Sequence, residues 1–207
     1  MNRTRWSALF LGLVLVLFFL FRSDTPSHER QKLSSDARVL AFGDSLTYGY
    51  GAEEQSYPKQ LQTLIGHSVV NAGIPGEVSS AGLERLSTLL ERYHPELVIL
   101  CHGGNDILRR SSKEQLRSNL IAMIELSRES GAEVLLVGVP GFGLFGLNTV
   151  DLYEEIAEEK GVLYEGEILE KIESDPALKS DQIHPNALGY GLMAEAFEAV
   201  IKENGLL

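Results

Sequence analysis

The sequence predicts an α/β domain on a parallel sheet of five strands with helices on both faces, preceded by one N-terminal hydrophobic segment. Three observations carry this expectation. From residue 36 to the end, apolar runs of strand length alternate with amphipathic stretches of helix length. The strands are continuous apolar runs, as a sheet buried on both faces requires. The early strands end in small, polar or glycine-bearing turns, where open α/β sheets hold their ligands.

The elements follow in order. Residues 38–42 read as the first strand, which breaks into Gly43-Asp44-Ser45-Leu46-Thr47-Tyr48-Gly49. Residues 57–65 read as a helix with Leu61, Leu64 and Ile65 on one face, and residues 68–71 as a short second strand. In the helix at 80–93, Leu83, Leu86, Leu89 and Leu90 are spaced for burial. Residues 97–101 are the third strand, 113–130 a helix and 133–139 the fourth strand. A helix near 150–160, a short fifth strand at 162–164 and a final helix at 186–203 complete the pattern, with Pro185 suited to the first turn of that helix. The chain has 207 residues, 44% of them hydrophobic, enough for one full core, and shows no repeat or second domain.

The amino end is a separate object. Asn2-Arg3-Thr4-Arg5 is basic, and residues 6–21 are an apolar run interrupted only by Ser7 and Gly12. Its 16 residues span roughly 24 Å as a helix, against roughly 30 Å of bilayer hydrocarbon. Residues 1–22 therefore read as a membrane anchor or signal segment. The exit, Arg22-Ser23-Asp24-Thr25-Pro26, lacks a small-x-small cleavage site, which favours an uncleaved inner-membrane anchor with its amino terminus inside. Residues 23–35 read as a polar tether, and residues 36–207 as the folded domain in the cell envelope, periplasmic or otherwise extracytoplasmic.

Charge narrows the function. Of 18 basic and 29 acidic side chains, five and two lie in the first 34 residues, which leaves the rest at a formal −14. Such a surface repels nucleic acid, and no basic patch with interleaved aromatics offsets it. The lone Cys101 cannot form an internal disulfide and lies in an apolar strand, where an inert buried thiol is expected.

Ser45 stands at the carboxyl end of the first strand, where a hydroxyl faces substrate. A serine there can also be a helix cap, so its partners decide. Asp181-Gln182-Ile183-His184-Pro185 offers an Asp three residues before a His, able to bond Nδ1 and leave Nε2 free for the Ser45 proton. The Ser45 N–H, the Gly76 N–H and the Asn105 amide are candidate donors for an oxyanion. No third residue at suitable spacing makes Asp181 and His184 a metal site. Asp44 and Asp106 are expected to bond loop backbone, and His28, His67 and His94 to be solvated or capping. His102 adjoins the site, and two readings stand for it, a residue that tunes the site and a packed strand-end residue.

These blocks resemble those of the GDSL or SGNH hydrolases: Gly43-Asp44-Ser45-Leu46, Gly76, Gly104-Asn105-Asp106 and Asp181-x-x-His184. The similarity runs from about Arg38 to the end. Asn71-Ala72-Gly73-Ile74-x-Gly76, Gly82-Leu83-x-Arg85-Leu86 and Gly103-Gly104-Asn105-Asp106 are most similar to the bacterial arylesterase, thioesterase and lysophospholipase branch. The resemblance implies a three-layer α/β/α flavodoxin-like fold, no metal or other cofactor, and ester hydrolysis through an acyl-serine. The sequence departs from the branch at His102, where an acidic or other residue often precedes the glycines, and at Pro75-Gly76-Glu77, where many members have Ser-Gly-Asp.

For substrate, Phe142, Leu144 and Phe145 in the glycine-rich stretch after the fourth strand are candidates to line an acyl groove, with Ile107 and Leu108 as a second wall. An acyl ester, thioester or lipid is the expected substrate. The competing readings are an esterase removing O-acetyl groups from envelope polysaccharide, and a non-catalytic flavodoxin-like module holding phosphate at residues 43–51. The latter lacks the P-loop's Lys-Ser/Thr ending and leaves Asp181 and His184 without a task.

Overall fold

The computed structural model describes residues 30–143 and 146–207. Strands β1 (Arg38–Gly43), β2 (Ser68–Gly73), β3 (Leu97–Cys101) and β4 (Glu133–Val137) carry the first half of the fold. Between and after them come helices α1 (Ser45–Tyr48), α2 (Tyr57–Ile65), α3 (Ser79–Tyr93), α4 (Gly104–Leu108) and α5 (Lys113–Glu129). A hairpin of β5 (Pro140–Gly143) and β6 (Gly146–Thr149) follows, then α6 (Leu152–Lys160), β7 (Leu163–Glu165), α7 (Ile168–Ser174) and α8 (Ala187–Glu203).

Five strands pair in the order β2-β1-β3-β4-β7, all parallel. Every residue of β3 is buried, as are all of β1 and β4 beyond their first residues. The continuous apolar runs thus mark strands covered on both faces. Helices α2 and α8 pack together in one layer, with Tyr57 and Phe197 edge to face at 5.0 Å; α3, α5 and α6 form the other. The chain moves outward from β1 to β2, then returns to the far side of β1 for β3. That reversal opens a crevice between the carboxyl ends of β1 and β3, where ligands of such sheets bind.

The structure refines several expectations. Strand β4 ends at Val137, short of the expected 139, and the glycine-rich stretch after it is an antiparallel hairpin, its alternation having the period of a strand. Helix α8 starts at Ala187, with Asn186 as its cap accepting the Leu188 and Gly189 N–H groups; Pro185 lies before the cap and outside the first turn. His94 is the left-handed C-cap of α3. Residues 30–35 pack on the domain: the Leu33 N–H bonds the Leu206 carbonyl at 2.9 Å and the Ser34 N–H bonds Glu96 at 2.8 Å. These contacts lie at the amino ends of the strands, the edge opposite Ser45. Among the described residues no helix is long and apolar enough to cross a membrane, and the apolar run at 6–21 lies outside them.

Candidate active site

Ser45 begins α1 directly beyond β1. Gly43 makes the turn possible, since a β-carbon there would fall 2.0 Å from the Cys101 carbonyl oxygen of neighbouring β3. Asp44 caps α1 by accepting the Leu46 N–H at 3.1 Å. As the first helical residue, Ser45 has no intrahelical acceptor for its own N–H.

His184 reaches Ser45 from the other end of the chain. Its Nε2 lies 3.1 Å from Ser45 Oγ, and its Nδ1 lies 2.7 Å from Asp181 Oδ2. The second Asp181 oxygen accepts the Ile183 and His184 N–H groups, each at 2.7 Å. Slight burial raises the Asp181 carboxyl, but those two N–H bonds and the imidazole overcome it and hold it at about 2. The turn is closed by the Ser180 N–H on the His184 carbonyl at 2.8 Å and clipped by Lys179 Nζ on the Gln182 carbonyl at 3.2 Å. Tyr50, not anticipated from sequence, sits against the imidazole with ring centroids 4.5 Å apart.

The facing side, with the candidate donors Gly76 and Asn105, comes from the turns after β2 and β3. Gly76 occupies a left-handed corner (φ 78°), a conformation that strains any residue with a β-carbon. Its carbonyl accepts from Arg109 at 2.9 Å. Asn105, the second residue of α4, donates through Nδ2 to Asp44 Oδ2 at 3.1 Å and to the Glu77 carbonyl at 3.0 Å. Burial raises the Asp44 carboxyl above its ordinary range. Asp106 bonds the Ser79 N–H (2.8 Å) and hydroxyl (2.7 Å) and so ties α4 to the start of α3.

A cleft of about 410 Å³ joins the two sides, lined by Ser45, Gly76, Asn105 and His184 together with Tyr50, Ile107, Leu108, Val139, Pro140, Glu173 and Ile183. The structure thus gathers Ser45, Gly76, Asn105, Asp181 and His184 around one cleft and brings Ile107 and Leu108 into its wall. Of the other proposed lining residues, Leu144 and Phe145 lie outside the described residues, and Phe142 is described only as backbone of β5. Burial pushes the Cys101 thiol well up, as expected of an inert group. Among the described residues no group of three His, Cys, Asp or Glu side chains is placed to hold a metal ion.

A serine hydroxyl bonded to an imidazole, itself bonded to a carboxylate, can attack an acyl carbon while the imidazole takes the proton. The model of the GDSL-like lipase/acylhydrolase family matches residues 41–192, a span that contains every residue of this constellation. The chain belongs to that family. An arylesterase of Vibrio mimicus is 32% identical over 194 residues, covering 88% of this chain and 93% of that protein. The Escherichia coli protein named thioesterase 1/protease 1/lysophospholipase L1 is 31% identical over 193 residues, 89% of this chain and 86% of its own. The crystal structure of the esterase EstA from Pseudoalteromonas, inhibited by monoethylphosphonate, superposes with a TM-score of 0.73 at 27% identity, covering 81% of this chain and 98% of that one. This family member is thus a serine ester hydrolase with the α/β fold of the SGNH hydrolases.

Proposed function

We propose that the chain hydrolyses carboxylic esters or thioesters of apolar acyl groups through an acyl-serine on Ser45. The observation that carries this reading is the 3.1 Å contact between Ser45 Oγ and His184 Nε2, across 139 residues of sequence, with Asp181 on the far side of the ring. His184 takes the Ser45 proton as Oγ attacks the acyl carbon, and the carbonyl oxygen becomes an oxyanion among the Ser45 N–H, the Gly76 N–H and the Asn105 amide. His184 then gives the proton to the departing alcohol or thiol. A water, deprotonated by the same imidazole, releases the acid and restores Ser45. Asp181 keeps Nδ1–H in place and stabilises the imidazolium.

The cleft wall of Tyr50, Ile107, Leu108, Val139, Pro140 and Ile183 favours an acyl chain over a bare acetyl group or a sugar. The names of the relatives agree with an arylesterase, thioesterase or lysophospholipase range, and an extracytoplasmic placement accords with the apolar run at 6–21 acting as an anchor. Residues 30–35 dock at the strand edge opposite Ser45, so a domain anchored through them opens its cleft away from the point of attachment. The test compares hydrolysis of lysophospholipid, long-chain acyl thioester, p-nitrophenyl acetate and an O-acetylated sugar. Higher kcat/KM on the long-chain substrates is expected; a preference for the acetyl sugar would replace this reading with polysaccharide deacetylation.

A further inference from the structure

Beneath the Gly76 and Asn105 side of the cleft lies a polar cluster, half-buried at Arg85 and fully buried at His102, that the steps above leave unused. Glu77 follows Gly76, and its carboxylate is 7% exposed. Arg85 of α3 grips it with Nε at 2.7 and 3.0 Å from the two oxygens. Arg85 Nη2 also donates to the carbonyls of Ala72 (2.8 Å) and Gly43 (3.3 Å), at the ends of β2 and β1. His102 is fully buried beyond β3. Its Nε2 lies 3.2 Å from the same carboxylate, and its Nδ1 accepts the Gly103 N–H at 3.0 Å. An accepting Nδ1 assigns the ring proton to Nε2, so the imidazole donates to Glu77. Burial pushes the Glu77 carboxyl up, but the bonds from His102 and Arg85 outweigh it and keep the group below its ordinary range. Gly82 accommodates this ring: a β-carbon there would stand 2.4 Å from His102 Nε2.

Every bond of the cluster ends on a segment that carries a donor. Glu77 is joined to Gly76 by one peptide bond, and its carbonyl accepts from Asn105; His102 holds the Gly103 N–H at the head of the turn that carries Asn105. Buried ion pairs add little net stability over apolar packing, so a cluster serving only the fold has an apolar alternative. Directional bonds to two loops supply what apolar packing does not, a fixed separation between them.

We infer that Glu77, Arg85 and His102 are positioning residues that hold the Gly76 N–H and the Asn105 amide at the spacing an oxyanion requires. This rests on the reading of Ser45, Gly76 and Asn105 above. With one Asn105 N–H tied to the Glu77 carbonyl, the other is aimed toward Asp44 at the cleft, where the oxyanion can share it.

Glu77→Gln keeps the shape and removes the charge that both partners hold. For p-nitrophenyl butyrate, kcat is expected to fall roughly 10- to 100-fold with KM within about threefold. The acid limb of the pH profile stays in place, because the base is untouched. In an Asn105→Ala background, where the positioned donor is gone, the same substitution keeps half or less of its logarithmic effect. An undiminished effect in that background, a displaced acid limb, or a loss confined to KM would overturn the inference. His102→Gln is judged by the same criteria if Glu77→Gln does not fold. If neither folds, the cluster is an element of the fold and the inference is overturned. Failure of the underlying reading looks different: Asn105→Ala alone would keep full activity, or wild-type turnover would survive Ser45→Ala.

Discussion

The two halves of the proposed active site are built on opposite plans. Asp181 and His184 share one turn of four residues, and the Asp181 side chain is 46% exposed. The carboxylate builds its own half by bonding two N–H groups and the imidazole within that turn. The other half is assembled from the ends of β1, β2 and β3: Asn105 meets Asp44 from 61 residues away, over a base of half-buried Arg85, the Glu77 carboxylate and fully buried His102. The chemistry explains the contrast. A base exchanges protons and can be oriented by one partner close in sequence, whereas donors act by standing still at a fixed spacing while charge develops.

The largest expected effect tests the local half. Asp181→Asn should lower kcat/KM roughly 10²- to 10⁴-fold, because the amide cannot hold Nδ1–H and stabilise an imidazolium. With the Asp181 carboxyl held at about 2, it stays ionised at any working pH, so its own ionisation places no limb in the pH profile of activity. A pH profile of kcat/KM for both proteins checks this; a loss under threefold would show that the turn needs no carboxylate. Asn105→Ala tests the remote half and should cost on the order of 10²- to 10³-fold in kcat while leaving the acid limb unmoved. A moved limb would couple the two halves and break the comparison.

The smallest effect concerns Glu173, in the cleft wall with Gln182, Ile183 and His184. Burial pushes its carboxyl up to about 6, against Lys179 Nζ at 3.7 Å. The folded protein therefore holds this proton more tightly than the unfolded chain, whose value is near 4.5. Stability from this group grows as pH falls from about 6 toward 4.5, and the ionised form destabilises the fold above 6. Glu173→Gln should raise Tm by roughly 2–4 °C at pH 7.5, with the difference closing near pH 4.5. Thermal melts at both values decide; a gap that widens in acid would contradict it.

What was legible in the sequence follows the same division. Ser45 at a strand end and the Asp181-to-His184 spacing are local patterns, readable without the fold that sets His184 beside Ser45. Gly76 and Asn105 were legible as residue types that supply donors in turns on the active edge. The cluster beneath them was not, because Glu77 and His102 are 25 residues apart and their pairing depends on β2 and β3 ending on the same edge. Arg85 carried a signal in Gly82-Leu83-x-Arg85-Leu86, without a partner to give it meaning. Helices α1 and α4, of four and five residues, are too short to show a helical period. The docking of residues 30–35 was hidden for another reason: polar residues leave no periodicity, and Ser34 is held by the Glu96 carboxylate instead of by a core.

The central claim is that Ser45 is the nucleophile, activated by His184 and served by the donor half. Mass measurement after incubation with a p-nitrophenyl alkylphosphonate tests it most directly. One adduct mapping to the peptide that holds Ser45 is expected, absent in Ser45→Ala and slowed in Asn105→Ala. An unlabelled protein that still hydrolyses esters, or an adduct on another residue, would contradict the account.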